Sequence, residues 1–161
     1  MGFPSGPGTV DVDLGFERIQ REMERANNAQ VSVGIFAGAT SFDGQSIAVY
    51  ATANEFGYPE GSGREGRPPE RSFMRSTVDR NRRLYNQQIE RGLARIHDGQ
   101  ATTVQVLNEL GLKVQGDFKQ AITDLREPPN APSTIEAKGS SNPLIDTGAM
   151  RNAVTFEVDA R

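Results

Sequence analysis

Two stretches rich in proline and glycine, residues 57–70 and 127–143, most constrain what this chain can fold into. The first, GYPEGSGREGRPPE, holds three prolines and four glycines in fourteen residues. The second, EPPNAPSTIEAKGSSNP, holds four prolines in seventeen. Proline lacks the amide that a helix interior or a central strand needs, and glycine has the most backbone freedom to lose. Both stretches therefore read as long extended loops, and regular structure is confined to the segments around them. Loops this long inside a domain are often functional or become ordered against a partner.

Between the loops the apolar residues recur at helical spacing. Met74, Val78, Tyr85, Ile89, Leu93 and Ile96 stripe a helix from Ser72 to about His97, and Gly99 breaks it. Val104, Leu107, Leu110, Val114, Phe118, Ala121, Ile122 and Leu125 stripe a second, from Thr102 to Arg126. Gly111 and Gly116 lie inside it and weaken it by about 1 kcal/mol each relative to alanine. Pro128-Pro129 stops it.

Upstream, Val12, Phe16, Ile19, Met23 and Ala26 follow a 4, 3, 4, 3 spacing that predicts a helix closing at Asn27-Asn28. Val31, Val33 and Ile35 alternate with Ser32, Gly34 and Phe36, which predicts a strand over 31–36. After a Gly/Asp loop, Ile47, Tyr50, Ala51 and Asn54 predict a short helix stopped by Gly57. Downstream of the second loop, Leu144-Ile145 is an apolar anchor. Asp146, Thr147 and Gly148 form a structural cap, with Asp146 or Thr147 accepting from backbone amides of a helical turn around 148–152. Val154, Phe156 and Val158 alternate in a last strand that can pair with 31–36. The expected fold is α+β: a small antiparallel β-sheet packed with two long helices and shorter N-terminal helices, joined by long extended loops. Residues 1–10 read as a flexible N-terminus and residues 11–161 as a single α+β domain.

The chain has 161 residues, 35% of them hydrophobic, and a mean hydropathy of −0.56. That is polar for a monomeric globule and suits a surface that meets partners. Cysteine is absent and His97 is the only histidine, so disulfides, cysteine zinc sites and histidine clusters within one chain are excluded. No apolar run approaches the roughly 20 residues needed to span a bilayer, and the start, MGFPSGPG, has no signal-peptide pattern. A soluble protein made in the cytoplasm, with no membrane partner, is expected.

The net charge of −3 is unevenly spread. Residues 64–95 hold nine arginines against four acids, a net +5, leaving nine basic residues against seventeen acids, −8, for the rest. Arginine's planar fork suits fixed contacts to carboxylate or phosphate. Arg71, Arg75, Arg82 and Arg83, spaced near 4, 7 and 8, are candidates for a subunit interface or for a lumen facing packaged double-stranded DNA.

Leu144-Ile145-Asp146-Thr147-Gly148-Ala149 has the form of an aspartic-protease signature. That chemistry needs two aspartates sharing one proton. Only thirteen residues follow Gly148, and the residues before it are Pro/Ser-rich, so a protease remains a remote alternative and Asp146 is expected to bond amides instead of activating water. His97 reads as a surface or C-terminal capping residue. The glycines of GSGREGRPP lack the Gly-Lys-Ser/Thr of a phosphate loop. No catalytic, cofactor-binding or metal-ligating set emerges.

Four strings occur in order: Val33-Gly34-Ile35-Phe36; Asn54-Glu55-Phe56-Gly57; Pro68-Pro69-Glu70-Arg71-Ser72-Phe73-Met74-Arg75; and Lys138-Gly139-Ser140-Ser141-Asn142-Pro143-Leu144-Ile145-Asp146-Thr147-Gly148-Ala149-Met150-Arg151. Together they resemble the neck, tail-completion and virion-morphogenesis proteins of tailed phages, over roughly 31–158. The resemblance implies a small α+β subunit of a homo-oligomeric ring at the head–tail junction, without catalysis or cofactor. The ring would join the head connector to the tail tube, or terminate the tube, in a virion assembled in the host cytoplasm. Its partners would be head-connector or head-closure proteins and tail-tube or terminator proteins. A hexamer is favoured, because tail tubes usually have that symmetry; a dodecamer would match the portal. A head-closure ring or another minor tail component is the alternative.

Overall fold

Thr102 opens the longest uninterrupted apolar stripe of the chain. Its hydroxyl accepts from the Gln105 amide at 3.2 Å, and the Gln105 side chain accepts from the Thr102 amide at 2.9 Å. Two donors that a helix start leaves bare are thus satisfied reciprocally. The computed structural model describes residues 15–42, 44–58 and 68–160. In chain order the elements are α1 (Phe16–Asn28), β1 (Gln30–Gly34), α2 (Ile47–Phe56), α3 (Arg75–His97), α4 (Thr103–Asp124), α5 (Pro132–Lys138), α6 (Ala149–Ala153) and β2 (Thr155–Asp159).

The fold is α+β, with the predicted strand pairing. β1 and β2 pair antiparallel, Val31 opposite Val158 and Val33 opposite Phe156. Those four side chains are partly buried, while Gln30, Ser32, Thr155 and Glu157 alternate outward. A two-stranded ribbon is marginal alone; here α4 packs on it, and Gln115 of α4 donates to the Val154 carbonyl at 2.8 Å. Gly111 makes that approach close. A Cβ there would collide with the Phe156 ring, so this glycine, expected only to weaken the helix, is a packing requirement. Gly92 does the same between α3 and α4, where a Cβ would collide with Val106.

The core runs through Phe73, Phe118, Ile122, Leu144, Met150 and Val154, contributed by four separate stretches of chain. A smaller cluster of Ile96, Ala101 and Val106, with Met23 against it, fixes α1 beside the α3–α4 turn. There the Glu22 carboxylate accepts from the Thr103 amide at 2.7 Å, and this bond holds its pKa below the ordinary carboxylate value.

Several expectations need correction. Residues 127–143 are not wholly extended: 132–138 form α5. Pro132 occupies its first turn, where proline's missing amide is not needed, and Gly139 ends it in the left-handed region at φ 67°. The helix expected from Ser72 begins at Arg75, because the backbone at 73–75 is held by a side chain outside the helix, described below. β1 covers 30–34 and stops short of Phe36. On α3, Val78, Ile89 and Leu93 are 37–40% exposed, and the side that meets the core carries Thr77, Tyr85, Gly92 and Ile96. The expected start of the first helix at Val12, the flexible 1–10 segment and most of the 57–70 loop lie outside the described residues. Among the described residues no helix is long and apolar enough to cross a membrane.

Candidate functional site

The strings singled out in the sequence converge in space. α2 ends with Asn54-Glu55-Phe56-Gly57, and each of these residues meets the segment 70–75. Glu55 is 4% exposed. Its Oε2 accepts from the Phe73 and Met74 amides at 2.8 and 2.9 Å, and its Oε1 from the Arg75 amide at 2.8 Å and the Ser72 hydroxyl at 3.1 Å. α3 has no side-chain cap of its own. Glu55 therefore caps it from outside, placing a negative charge at the positive end of a 23-residue helix. Gly57, at φ 63°, brings the chain so near Glu70 that a Cβ would stand 2.6 Å from its amide nitrogen.

Arg71 is the second buried charge, 4% exposed. Its Nε donates to the Pro128 carbonyl at 2.9 Å and its Nη2 to the Pro129 carbonyl at 2.9 Å and Asn130 Oδ1 at 3.1 Å. Nη1 reaches Asn54 Oδ1 at 3.2 Å. All four acceptors are neutral, and burial lowers the guanidinium pKa from its usual value. Two proline carbonyls suit this partner, since they can accept but their residues have no amide to bury. Arg71 thus lies inside the fold and off α3, and is no candidate for an interface or a lumen.

Arg75 is half-exposed but committed. It reaches Glu55 Oε1 at 3.2 Å, the Glu55 carbonyl at 2.8 Å and Glu70 at 2.7 Å, and its guanidinium lies 4.4 Å from the centre of the Phe56 ring. Arg82 pairs with Asp79 at 3.1 Å in the open. Arg83 is exposed and makes no ion pair among the described residues. Adjacent helical residues project about 100° apart, so Arg82 and Arg83 do not share a face.

The network continues into the last string. Asn130 donates to the Asn142 carbonyl at 3.3 Å, which also accepts from Lys138 at 3.0 Å. Asn142 Oδ1 accepts from the Leu144 and Ile145 amides at 3.0 and 3.1 Å, and its Nδ2 donates to the Thr123 carbonyl at 3.0 Å. The side chain that turns this stretch is therefore Asn142, two and three residues before the amides it holds, the first being the offset of an Asx turn. Asp146 is exposed and forms no hydrogen bond among the described residues; its negative charge lies near the Lys138 ammonium. Thr147 accepts from the Ala149 amide at 3.3 Å, and Gly148, at φ 81°, starts α6. Among the described residues, Asp146 and Lys138 are the charged side chains lining the cleft of about 480 Å³ beside this turn, with Phe42, Tyr50 and Leu144 among its walls. His97 is exposed near the end of α3, 3.3 Å from Asp98.

An apolar surface lies beside the network. α2 has one charged residue, the buried Glu55, and leaves Val49 and Phe56 67% and 58% exposed, with Tyr58 just beyond. An exposed patch of this kind, on a helix without surface charge, suits contact with another protein. Among the described residues no group of acidic and histidine side chains could hold a metal ion. No family model, no curated protein and no solved structure matches this chain.

Proposed function

We propose that this chain is a structural subunit of a tailed-phage virion, assembling into a homo-oligomeric ring at the head–tail junction between the head connector and the tail tube. The observation that carries the reading is the convergence of the family-like strings. Asn54-Glu55-Phe56-Gly57, Glu70–Arg75 and Lys138–Arg151 are joined by Glu55, Arg71, Asn130 and Asn142 into one framework. In this reading the strings preserve a scaffold, and the surfaces around it do the work of assembly. The uncharged face of α2, with Val49 and Phe56 on it and Tyr58 just beyond, supports the same reading, because a ring subunit must present apolar surface to its neighbours.

The test is to purify the full chain and measure its mass by mass photometry, then image virions of the encoding phage by cryo-electron microscopy. Six copies in a ring at the junction are expected, or twelve if the ring follows the portal. A ring bound directly to the portal would assign the head-closure role instead. A monomer at high concentration that is absent from virions sinks the proposal.

A further inference from the structure

The arginines selected from spacing turn out to be mostly occupied. Arg71 is buried, Arg75 is tied to Glu55 and Glu70, and Arg82 is paired with Asp79. A different set is free. Arg80, Arg83 and Arg91 are exposed on α3, and none has a side-chain hydrogen bond or an ion pair among the described residues. With half-exposed Gln87 they follow i, i+3, i+7 and i+11, a single helical stripe about 16 Å long at 1.5 Å per residue.

Arg83, in the middle of the stripe, is turned away from the core, while Arg80 borders the α3–α4 cleft that Asp117 and Asp124 also line. Arg83 lies nine residues before Gly92, about 180° around the helix, and Gly92 packs against Val106 of α4. Most nearby acids are already engaged. Asp79 holds Arg82; Asp117 holds Lys113 and the Tyr85 hydroxyl; Asp124 accepts from Gln120. Glu90, seven residues after Arg83, lies on the same side of α3 at the stripe's edge, and its carboxylate forms no ion pair with these arginines.

We infer that the Arg80–Arg83–Gln87–Arg91 stripe is a contact surface for the phosphate backbone of duplex DNA. Three unpaired guanidiniums in a line, with an amide donor among them and no aromatic side chain for base stacking, fit a run of phosphates and carry no base readout. An acidic peptide would need carboxylates at matching spacing, whereas any duplex supplies phosphates continuously. DNA is the partner that the ring reading puts in the pore, so the inference rests on that reading.

The experiment measures binding of the full chain to a fluorescent 30-base-pair duplex by anisotropy over a series of salt concentrations, with mass photometry on the same samples. Wild-type protein should bind at low salt, with affinity falling steeply as salt rises. Replacing Arg80, Arg83 and Arg91 together by Gln should lower the log–log salt slope by roughly 2 to 3, since each lost phosphate contact removes about 0.9. Arg83→Gln alone should lower it by about 1 on the same basis, and Arg82→Gln should leave it unchanged. Oligomeric mass should be the same throughout. Absence of duplex binding at low salt, or a slope unmoved by the triple change, overturns the inference. So does a triple variant that alters oligomeric mass and leaves the slope intact, because the stripe is then a protein interface. A wild-type monomer that binds duplex through these arginines would sink the ring and leave the stripe standing.

Discussion

The carboxylate of Glu55, at the end of α2, accepts from the backbone amide and the Nε of Arg75, the first residue of α3, at 2.8 and 3.2 Å. One buried acid thus closes α2 onto the next helix and neutralises that helix's bare amides.

Replacing Glu55 by Ala should therefore cost far more than an ordinary cap. The change leaves the buried amide of Phe73 and the partly buried amide of Met74 without their acceptor. Each unsatisfied buried donor costs about 1–3 kcal/mol, so a loss of roughly 3 kcal/mol or more is expected. Glu55→Gln keeps one acceptor oxygen and should lose less. Urea unfolding of both variants checks this, and a loss below about 1 kcal/mol for the alanine variant, the size of a surface cap, would contradict the buried role.

Arg71→Lys keeps the charge and discards the fork. Lysine cannot reach two proline carbonyls and two asparagine side chains from one planar group. The expected loss is about 2–3 kcal/mol, with residues 128–145 exchanging amide hydrogens faster than α4 does. Hydrogen exchange read by mass spectrometry would show it. Uniform exchange across both regions would mean that Arg71 does not tie the arm down.

The glycines of α4 provide an internal comparison. Gly111 faces the Phe156 ring, whereas an added Cβ at Gly116 meets nothing within 4 Å. Gly111→Ala should destabilise by about 1–3 kcal/mol through overpacking. Gly116→Ala should stabilise by up to about 1 kcal/mol through helix propensity. Thermal melts of the two variants should move in opposite directions; movement in the same direction would refute the packing of β2 on α4.

What could be read beforehand depended on whether the cause was local. α4 was legible because its apolar spacing is regular and Pro128-Pro129 stops it. The strand pair was legible from the alternation of Val31 and Val33, Phe156 and Val158. α5 was hidden because Pro132 counts as a breaker until its place in the first turn is known, although Gly139 seven residues later was a usable stop signal. The burial of Arg71 had no local signature, since its acceptors are backbone carbonyls 57 and 58 residues away. The core side of α3 was misplaced because Gly92 and Thr77, small or polar residues that an apolar stripe leaves out, are buried on it.

Tyr85 gives α3 and α4 a pH-dependent link. Its hydroxyl donates to Asp117 at 2.8 Å, and burial followed by that bond raises its pKa to about 12. The folded state favours the neutral phenol, so the contribution to stability is complete below the ordinary tyrosine value near 10 and is lost as pH rises toward 12. Wild-type protein should therefore lose urea resistance between pH 10 and 12. Tyr85→Phe should lose less over that interval, because it has no proton to release, while starting from a lower stability at pH 8 through the missing hydrogen bond to Asp117. Ultraviolet titration should show a phenolate step near pH 12 in the wild type and not in the variant. Equal alkaline sensitivity in the two proteins would show that the Tyr85–Asp117 bond does not couple the helices to pH.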